Sequence, residues 1–276
     1  MTIPTRQLND STTIPALGFG TYKLWGGDGI DAIQSAIEVG YRLLDTALNY
    51  DNESDVAEAM RRSGVPREQL FVTTKLPGRF HGYEETLKGF EESRKNLALD
   101  FVDLYLIHWP MPRLDKFVDS FRAMAKLQSD GLTRSIGVSN FTAAHLDRVI
   151  NEAGIVPSVN QIEMHPYFPQ AQLRAYHDAH GITTQSWTPL ARQRSPFNEE
   201  RVVAVAEAHG VTSSQAILRW HIELGSIPIP KSAHRSFQSE NADVFGFELT
   251  PEEIASISSM ETGRLWGGDP DTNEEL

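Results

Sequence analysis

Four side chains of the kinds that bind and release protons follow predicted strands in the first half of the chain. Asp45, Lys75 and His108 each end a run of apolar or β-branched residues, and Tyr50 lies five positions after Asp45. Ionisable groups at the ends of buried strands are partly desolvated and need partners, so Asp45 and Lys75 are expected to pair. Because an ammonium group favours the phenolate, the pKa of Tyr50 beside Lys75 is expected to fall, which predicts a general acid.

The imidazole of His108 adds a donor that could orient a carbonyl oxygen. The four groups together therefore predict a proton donor beside an oxyanion site. Taken alone, Asp45 and Lys75 would indicate a structural ion pair and His108 a core histidine; it is the set that favours catalysis. No side chain transfers hydride, so a carbonyl reduction at this site requires a nicotinamide cofactor.

The elements that must position these groups alternate between short β-rich and amphipathic helical segments. The predicted strands are 17–22, 43–45, 71–75, 104–108, 134–139, 159–163, 183–187 and 227–230. The predicted helices are 30–39, 54–63, 83–97, 116–129, 143–152, 170–180 and 201–209, with extra helices at 213–224 and 251–260. This eight-fold alternation of strands and helices predicts an α/β fold, a (β/α)8 TIM barrel with an N-terminal β-hairpin around Asn9 to Ser11 and extra C-terminal helices.

An open doubly wound sheet is the alternative fold. When it binds dinucleotides it has a third glycine after the first strand, whereas this chain has Lys23 at that position. The barrel is therefore preferred. Since no Pro/Ser-rich linker divides the chain, residues 1–276 are predicted to form one domain.

Composition excludes several classes of function. The chain has 25 Lys and Arg against 37 Asp and Glu, a formal charge of −12, and no basic run, which argues against a nucleic-acid partner. It has no cysteine, so disulfides and thiolate chemistry are excluded. We expect no metal site, because His177 and His180 have no carboxylate at ligand spacing. No long apolar run or signal-peptide pattern is present, so a cytoplasmic monomer without membrane contact is expected.

Several segments together resemble the aldo-keto reductase family. They are GYRLLDTA (40–47) with YDNE (50–53), IGVSNF (136–141), NQIE (160–163) and IPKS (229–232). They occur in the family's order between about residues 14 and 247, on the predicted elements. Within the family, the chain resembles the bacterial 2,5-diketo-D-gluconate reductase type.

The resemblance implies reduction of an aldehyde or ketone, a small carbonyl substrate, to an alcohol with NADPH. It implies that Tyr50 donates the proton, that Lys75 and Asp45 tune it, and that His108 orients the carbonyl. It also implies a set of cofactor contacts along the nucleotide. These are Ser139, Asn140 and Gln161 at the nicotinamide carboxamide, Trp187 stacked on the nicotinamide, Leu190 along the pyrophosphate, Lys231 and Ser232 at the 2′-phosphate, and Glu240 and Asn241 at the adenine.

Some positions depart from the family pattern. Phe237 stands where the family usually has an arginine that pairs with the 2′-phosphate, so one ionic contact is lost. Arg235 and His234 are expected to compensate in part, which predicts a weakened NADPH preference with NADH possible. Pro77 stands where many relatives have a tryptophan that walls the substrate pocket. Ala57 replaces a glycine in helix packing.

The sequence Leu-Trp-Gly-Gly-Asp occurs twice, at 24–28 and 265–269. Nothing between the two copies recurs, so a repeat architecture is excluded. We predict two loops over one catalytic mouth, the first after strand 1 and the second in the C-terminal tail. The predicted substrate residues are Tyr22, Trp25, Trp109 and Trp266. Unrelated surface loops are the alternative, because Gly-Gly-Asp favours turns anywhere.

Two other functions are compatible with parts of this pattern. A barrel that binds the cofactor without turnover could serve as a regulatory subunit, and cofactor oxidation by a reactive aldehyde distinguishes it from an enzyme. A short-chain dehydrogenase would need Tyr-x-x-x-Lys. No tyrosine here has lysine four positions later, so that class is excluded.

Overall fold

A parallel eight-stranded barrel forms the centre of the computed structural model, which describes residues 3–194, 196–266 and 268–275, without the side chain of Gln193. The barrel strands are β3 (Gly18–Gly20), β4 (Leu43–Asp45), β5 (Phe71–Leu76), β6 (Val102–Ile107), β7 (Thr133–Ser139), β8 (Val159–Glu163), β9 (Thr183–Trp187) and β10 (Ile227–Ile229). Consecutive strands pair in parallel, and the Gly20 N–H donates to the Pro230 carbonyl at 3.0 Å, joining the first strand to the last. The predicted (β/α)8 barrel is confirmed.

An antiparallel hairpin, β1 (Thr5–Gln7) and β2 (Thr13–Pro15), closes the N-terminal end of the barrel. Leu8 and Ile14 of the hairpin pack with buried aliphatic residues of the strands. Gly137 of β7 lets the neighbouring strand β8 approach closely, since a Cβ atom there would overlap the backbone carbonyl oxygen of Val159. The barrel is thus a packed core whose open end is the C-terminal one.

Ten helices of the described residues surround the strands. They are α1 (Gly26–Val39), α2 (Glu53–Ser63), α3 (Tyr83–Asn96), α4 (Phe117–Ser129), α5 (Ala143–Arg148), α6 (Ala171–His180), α7 (Glu200–His209), α8 (Ser213–Glu223), α9 (Arg235–Ala242) and α10 (Pro251–Ser258). Their apolar faces pack on the outside of the barrel. Thr212 and Thr250 are the N-cap residues of α8 and α10, and each forms a capping box with the side chain three residues later. These are the two extra helices that the sequence predicted.

The structure differs from the sequence predictions in three helices. α1 begins at Gly26 and not at residue 30, so the predicted loop over 24–28 is confirmed only at Leu24 and Trp25, and the other three residues form the first turn of the helix. The cause is tertiary: the Gly26 N–H donates to Asp55 Oδ2 at 2.8 Å, which holds the first turn against α2. α5 is shorter than predicted and continues as a wider turn, Val149–Ala153. α9 was not predicted, because it is short and polar.

No helix within the described ranges is long and apolar enough to cross a membrane. The division of the chain into a single domain and its monomeric state stay predictions.

Candidate active site

Three of the predicted catalytic groups lie at the C-terminal end of neighbouring strands. Asp45 ends β4, Lys75 lies near the end of β5 and His108 directly follows β6. Lys75 Nζ is 2.6 Å from Asp45 Oδ1 and donates to the Thr46 carbonyl at 2.8 Å. The side chains of Lys75 and Asp45 are 0% and 6% exposed, so this is a buried ion pair.

Tyr50 lies directly over this ion pair. A short helical turn, Leu48–Tyr50, follows β4 and turns the ring back, so that the hydroxyl is 3.4 Å from Lys75 Nζ. The Tyr50 ring lies edge-on to His108 with centroids 5.7 Å apart and is 5.0 Å from the Tyr22 ring. The four predicted catalytic residues therefore form one contiguous cluster.

The loop after Tyr50 is fixed by a buried amide. Asn52 donates to the carbonyl oxygens of Thr21 and Leu24 at 2.7 and 2.9 Å, and its side-chain oxygen accepts from Thr46 at 2.9 Å. The Trp25 indole N–H donates to the Tyr50 carbonyl at 2.6 Å. These contacts restrict the motion of Tyr50, since the backbone on both sides of its ring is held by hydrogen bonds.

The pKa values in the cluster correct one prediction. Burial raises the pKa of the Tyr50 hydroxyl, Lys75 lowers it, the negative charge of Asp45 raises it, and the net pKa is above the ordinary value. The predicted net fall is wrong, because desolvation outweighs the attraction of Lys75 for the phenolate. Burial lowers the pKa of Lys75, but the charges of Asp45 and Tyr50 raise it by a larger amount. The net pKa of Lys75 is therefore above its ordinary value. Tyr50 is protonated and Lys75 charged at neutral pH.

The residues predicted at the nicotinamide lie beside this cluster. Asn140 donates to the His108 carbonyl at 3.0 Å and accepts from the Trp187 indole N–H at 2.8 Å. Ser139 donates to the Gln161 carbonyl at 2.9 Å. Gln161 donates to Asp45 Oδ2 at 2.7 Å, so it links the buried ion pair to the predicted cofactor face.

The residues predicted further along the cofactor lie on the β10 end and α9. Lys231 is an exposed residue, and partial desolvation of its ammonium group together with the charge of Lys23 lowers its pKa. Ser232 accepts from the His234 N–H at 3.1 Å. Arg235 lies 2.9 Å from Glu38 Oε2, an ion pair that competes with its expected role at the phosphate.

The residues at the outer end of α9 and the adjoining loop complete this face. Phe237 is 53% exposed, with its ring 6.0 Å from that of His234, and is open to stack on a ligand. Glu240 accepts from Thr212 at 2.9 Å and from Ser214, and so also holds the start of α8. Asn241 is buried, and Leu190 packs against the hydrophobic core.

Lys23 is a residue that sequence reasoning missed. It lies three residues after the end of β3, and its charge acts on Lys231. Among the ion pairs of the described residues, neither lysine has an acidic partner. Two cations brought together in this way fit a phosphate-bearing ligand, which would relieve their repulsion.

The second Leu-Trp-Gly-Gly-Asp segment lies at the same mouth. The backbone N–H groups of Leu265 and Trp266 donate to the buried carboxylate of Glu163 at 2.9 and 2.8 Å. Residue 267, the first glycine of this segment, lies outside the described residues. The Arg192 guanidinium is 5.7 Å from the Trp266 ring and 5.5 Å from the Tyr22 ring, so it connects the two sides.

Trp109, the fourth predicted substrate residue, directly follows His108 and is 8% exposed. The structure therefore places Tyr22, Trp25, Trp109 and Trp266 around the catalytic cluster. Their contact with a substrate stays a prediction.

The end of the tail brings in a residue that no motif indicated. Glu275 Oε1 is 2.9 Å from His108 Nδ1, and both side chains are mostly buried. The Glu275 N–H donates to Met111 Sδ at 2.8 Å. An acidic residue near a chain terminus gives no local signal, so only the path of the tail reveals it.

Comparison with known proteins agrees with this geometry. Residues 16–262 match the sequence profile of the Aldo/keto reductase family. The chain belongs to this family.

Two relatives of this aldo/keto reductase align over nearly the whole chain. The 2,5-diketo-D-gluconic acid reductase B of Corynebacterium sp. (strain SHS752001) is 53% identical over 274 residues, covering 99% of both chains. Methylglyoxal reductase DkgA of Escherichia coli (strain K12) is 42% identical over 266 residues, covering 96% of both. A crystal structure of a Gox0644 mutant in complex with NADPH is 39% identical, covers 99% of both chains and superposes with a TM-score of 0.94.

Family membership and these relatives support an oxidoreductase that acts on carbonyl compounds. The structural neighbour with bound NADPH supports a nicotinamide cofactor.

Proposed function

We propose that this aldo/keto reductase uses NADPH to reduce aldehydes and ketones to alcohols and that Tyr50 delivers the proton to the carbonyl oxygen. The observation that supports it is the contact between the Tyr50 hydroxyl and Lys75 Nζ, 3.4 Å, above the buried pair with Asp45. The names of the relatives, a diketogluconic acid reductase and a methylglyoxal reductase, point to small carbonyl substrates.

Each residue of the cluster would have a separate role in the reaction. Bound NADPH supplies the hydride. Because Nδ1 of His108 lies against Glu275, Nε2 is the nitrogen that faces a carbonyl oxygen and orients it. As negative charge develops on that oxygen, the Tyr50 hydroxyl transfers its proton, and the adjacent Lys75 ammonium stabilises the resulting phenolate. Asp45 and the Thr46 carbonyl hold Lys75 in place.

The cofactor would lie between β7, β8, β9 and α9. Ser139, Asn140 and Gln161 would hold the carboxamide, with Trp187 against the nicotinamide ring. Lys231 would meet the 2′-phosphate, with the charge of Lys23 near enough to act on it. We propose NADPH over NADH on the charge of Lys231, with a reduced margin because Phe237 offers no charge. We also propose that the protein acts as a monomer of one domain.

Replacing Tyr50 with phenylalanine tests the proposal. Tyr50→Phe should lower kcat by about 10² to 10⁴, the usual contribution of general acid catalysis, with the dissociation constant for NADPH unchanged. Tyr83→Phe is the control, because it removes a hydroxyl from an exposed tyrosine at the start of α3, outside the cluster. Unchanged turnover in Tyr50→Phe would refute the mechanism. Tight NADPH binding by the unmodified protein without turnover of any aldehyde would favour a regulatory subunit.

A further inference from the structure

The C-terminal tail lies against the segment that follows β5, where Pro77 stands in place of the tryptophan that the family resemblance implies. A Cβ atom at Gly78 would overlap the carbonyl oxygen of Glu275. The tail therefore fits there because residue 78 has no side chain. Two further contacts fix it, from the Glu275 N–H to Met111 Sδ at 2.8 Å and from the Arg113 N–H to Glu274 at 3.3 Å.

The tail is also fastened along its length, so the position of its end is determined by the fold. At its start, Glu163 accepts from two backbone N–H groups of the segment. The Glu163 side chain is fully buried and also contacts His165 at 3.0 Å. Farther along, Asp271 lies 3.4 Å from His145.

The result is a carboxylate directed into the catalytic cluster. Glu275 Oε1 lies 2.9 Å from His108 Nδ1, and the side chain is 19% exposed. Burial raises the pKa of Glu275, but the contacts with His108 and Asn49 lower it more, so its net pKa is below the usual value. Its other oxygen, Oε2, is buried without a hydrogen-bond partner in the part of the chain that the structure describes.

No positive charge from the neighbouring His81 neutralises the Glu275 carboxylate at neutral pH. His81, which is close enough to interact with Glu275, has both ring nitrogens unpartnered among the described residues. Burial lowers the pKa of His81 to about 4, so it is neutral and supplies no counter-charge. The negative charge of Glu275 also contributes to the raised pKa of Tyr50, which places it within electrostatic range of the reacting atoms.

We propose that Glu275 is a specificity-determining residue that favours neutral carbonyl compounds and disfavours 2-oxo acids. In a 2-oxo acid the carboxylate is bonded directly to the reacting carbonyl carbon. This inference rests on the proposed function. Glu275 contacts the His108 ring at Nδ1, and its charge acts on Tyr50, so a carbonyl held by His108 and Tyr50 lies within the electrostatic field of this carboxylate. A carboxylate bonded directly to the reacting carbon is repelled by that charge, whereas a carboxylate farther along a longer substrate is less affected.

Two substrates that differ only in this charge test the proposal. Pyruvate and methyl pyruvate present the same ketone, one with a carboxylate and one with a neutral ester. In Glu275→Gln we expect kcat/KM for pyruvate to rise at least about tenfold relative to that for methyl pyruvate. Glu274→Gln is the matched control, since Glu274 is the adjacent tail carboxylate and does not contact His108. An unchanged ratio in Glu275→Gln, or an equal change in Glu274→Gln, would overturn the proposal.

A binding measurement separates this proposal from the proposed reaction. Calorimetry of the protein loaded with NADP⁺ gives dissociation constants for benzoate and benzamide without any turnover. Benzoate should bind at least about tenfold more tightly to Glu275→Gln than to the unmodified protein, with benzamide unchanged. Equal benzoate affinities overturn the role of Glu275 even if the enzyme is active. Tighter benzoate binding supports that role even if Tyr50→Phe retains turnover.

Discussion

Replacing Lys75 with methionine tests how the buried ion pair acts on Tyr50. Methionine is similar in length to the aliphatic part of lysine, so the variant removes the charge with little change in packing. Asp45 keeps the hydrogen bond from Gln161 at 2.7 Å but loses its counter-ion. The hydroxyl of Tyr50 loses the ammonium that lies 3.4 Å from it.

The size of the effect on rate follows from this distance. Two full charges 3.4 Å apart interact by about 5 kcal/mol at an effective dielectric constant of about 20. If about half a charge has developed on the tyrosine oxygen in the transition state, Lys75 contributes about 2.5 kcal/mol. This corresponds to a fall of roughly 70-fold in kcat. The assay is kcat for a reactive aldehyde at saturating NADPH.

The same variant is expected to lose stability, because it leaves Asp45 buried without a cation. Breaking a buried ion pair in this way typically costs about 3 to 5 kcal/mol, measurable by urea denaturation. The double variant Lys75→Met/Asp45→Asn removes the uncompensated charge and should recover most of that stability. It should not recover kcat, since the ammonium is still absent. Recovery of kcat together with stability, or a single variant within threefold of the unmodified rate, would refute the role assigned to Lys75.

Three further predictions concern the cofactor, acid stability and packing. Phe237→Arg should raise the ratio of kcat/KM for NADPH to that for NADH by roughly tenfold, because a charged hydrogen bond to the 2′-phosphate is restored; an unchanged ratio would place Phe237 away from the phosphate. Burial lowers the pKa of both His177 and His221 to about 3, so between about pH 6.5 and 3 only the unfolded chain protonates them, and the unfolding free energy should fall as pH falls through that range. Urea titrations at pH 7.5 and 5 check this, and His221→Gln should show a weaker pH dependence. Gly137→Ala should destabilise the barrel by about 1 to 3 kcal/mol or more by overpacking against Val159, whereas Gly246→Ala, which has open space around it, should change stability by about 0.5 kcal/mol or less.

The barrel and the convergence of its candidate catalytic residues could be predicted from the sequence. Apolar runs at regular spacing specify parallel strands, and all parallel strands end at the same side of a barrel. The final polar residues of successive strands, Asp45, Lys75 and His108, were therefore certain to converge once the alternation was recognised. Predicted and observed strands agree because this signal is local.

Features that depend on neighbours from distant parts of the chain were decided only by the tertiary structure. The net pKa of Tyr50 depends on all the atoms that exclude water from its hydroxyl, so the contact with Lys75 alone gave the wrong direction. The start of α1 depends on Asp55 of another helix. The proximity of Lys23 and Lys231 and the seating of Glu275 against Gly78 depend on the path of the chain around the barrel. Hydrophobic periodicity encodes which face of an element is buried; it does not encode which distant side chains meet at the open end.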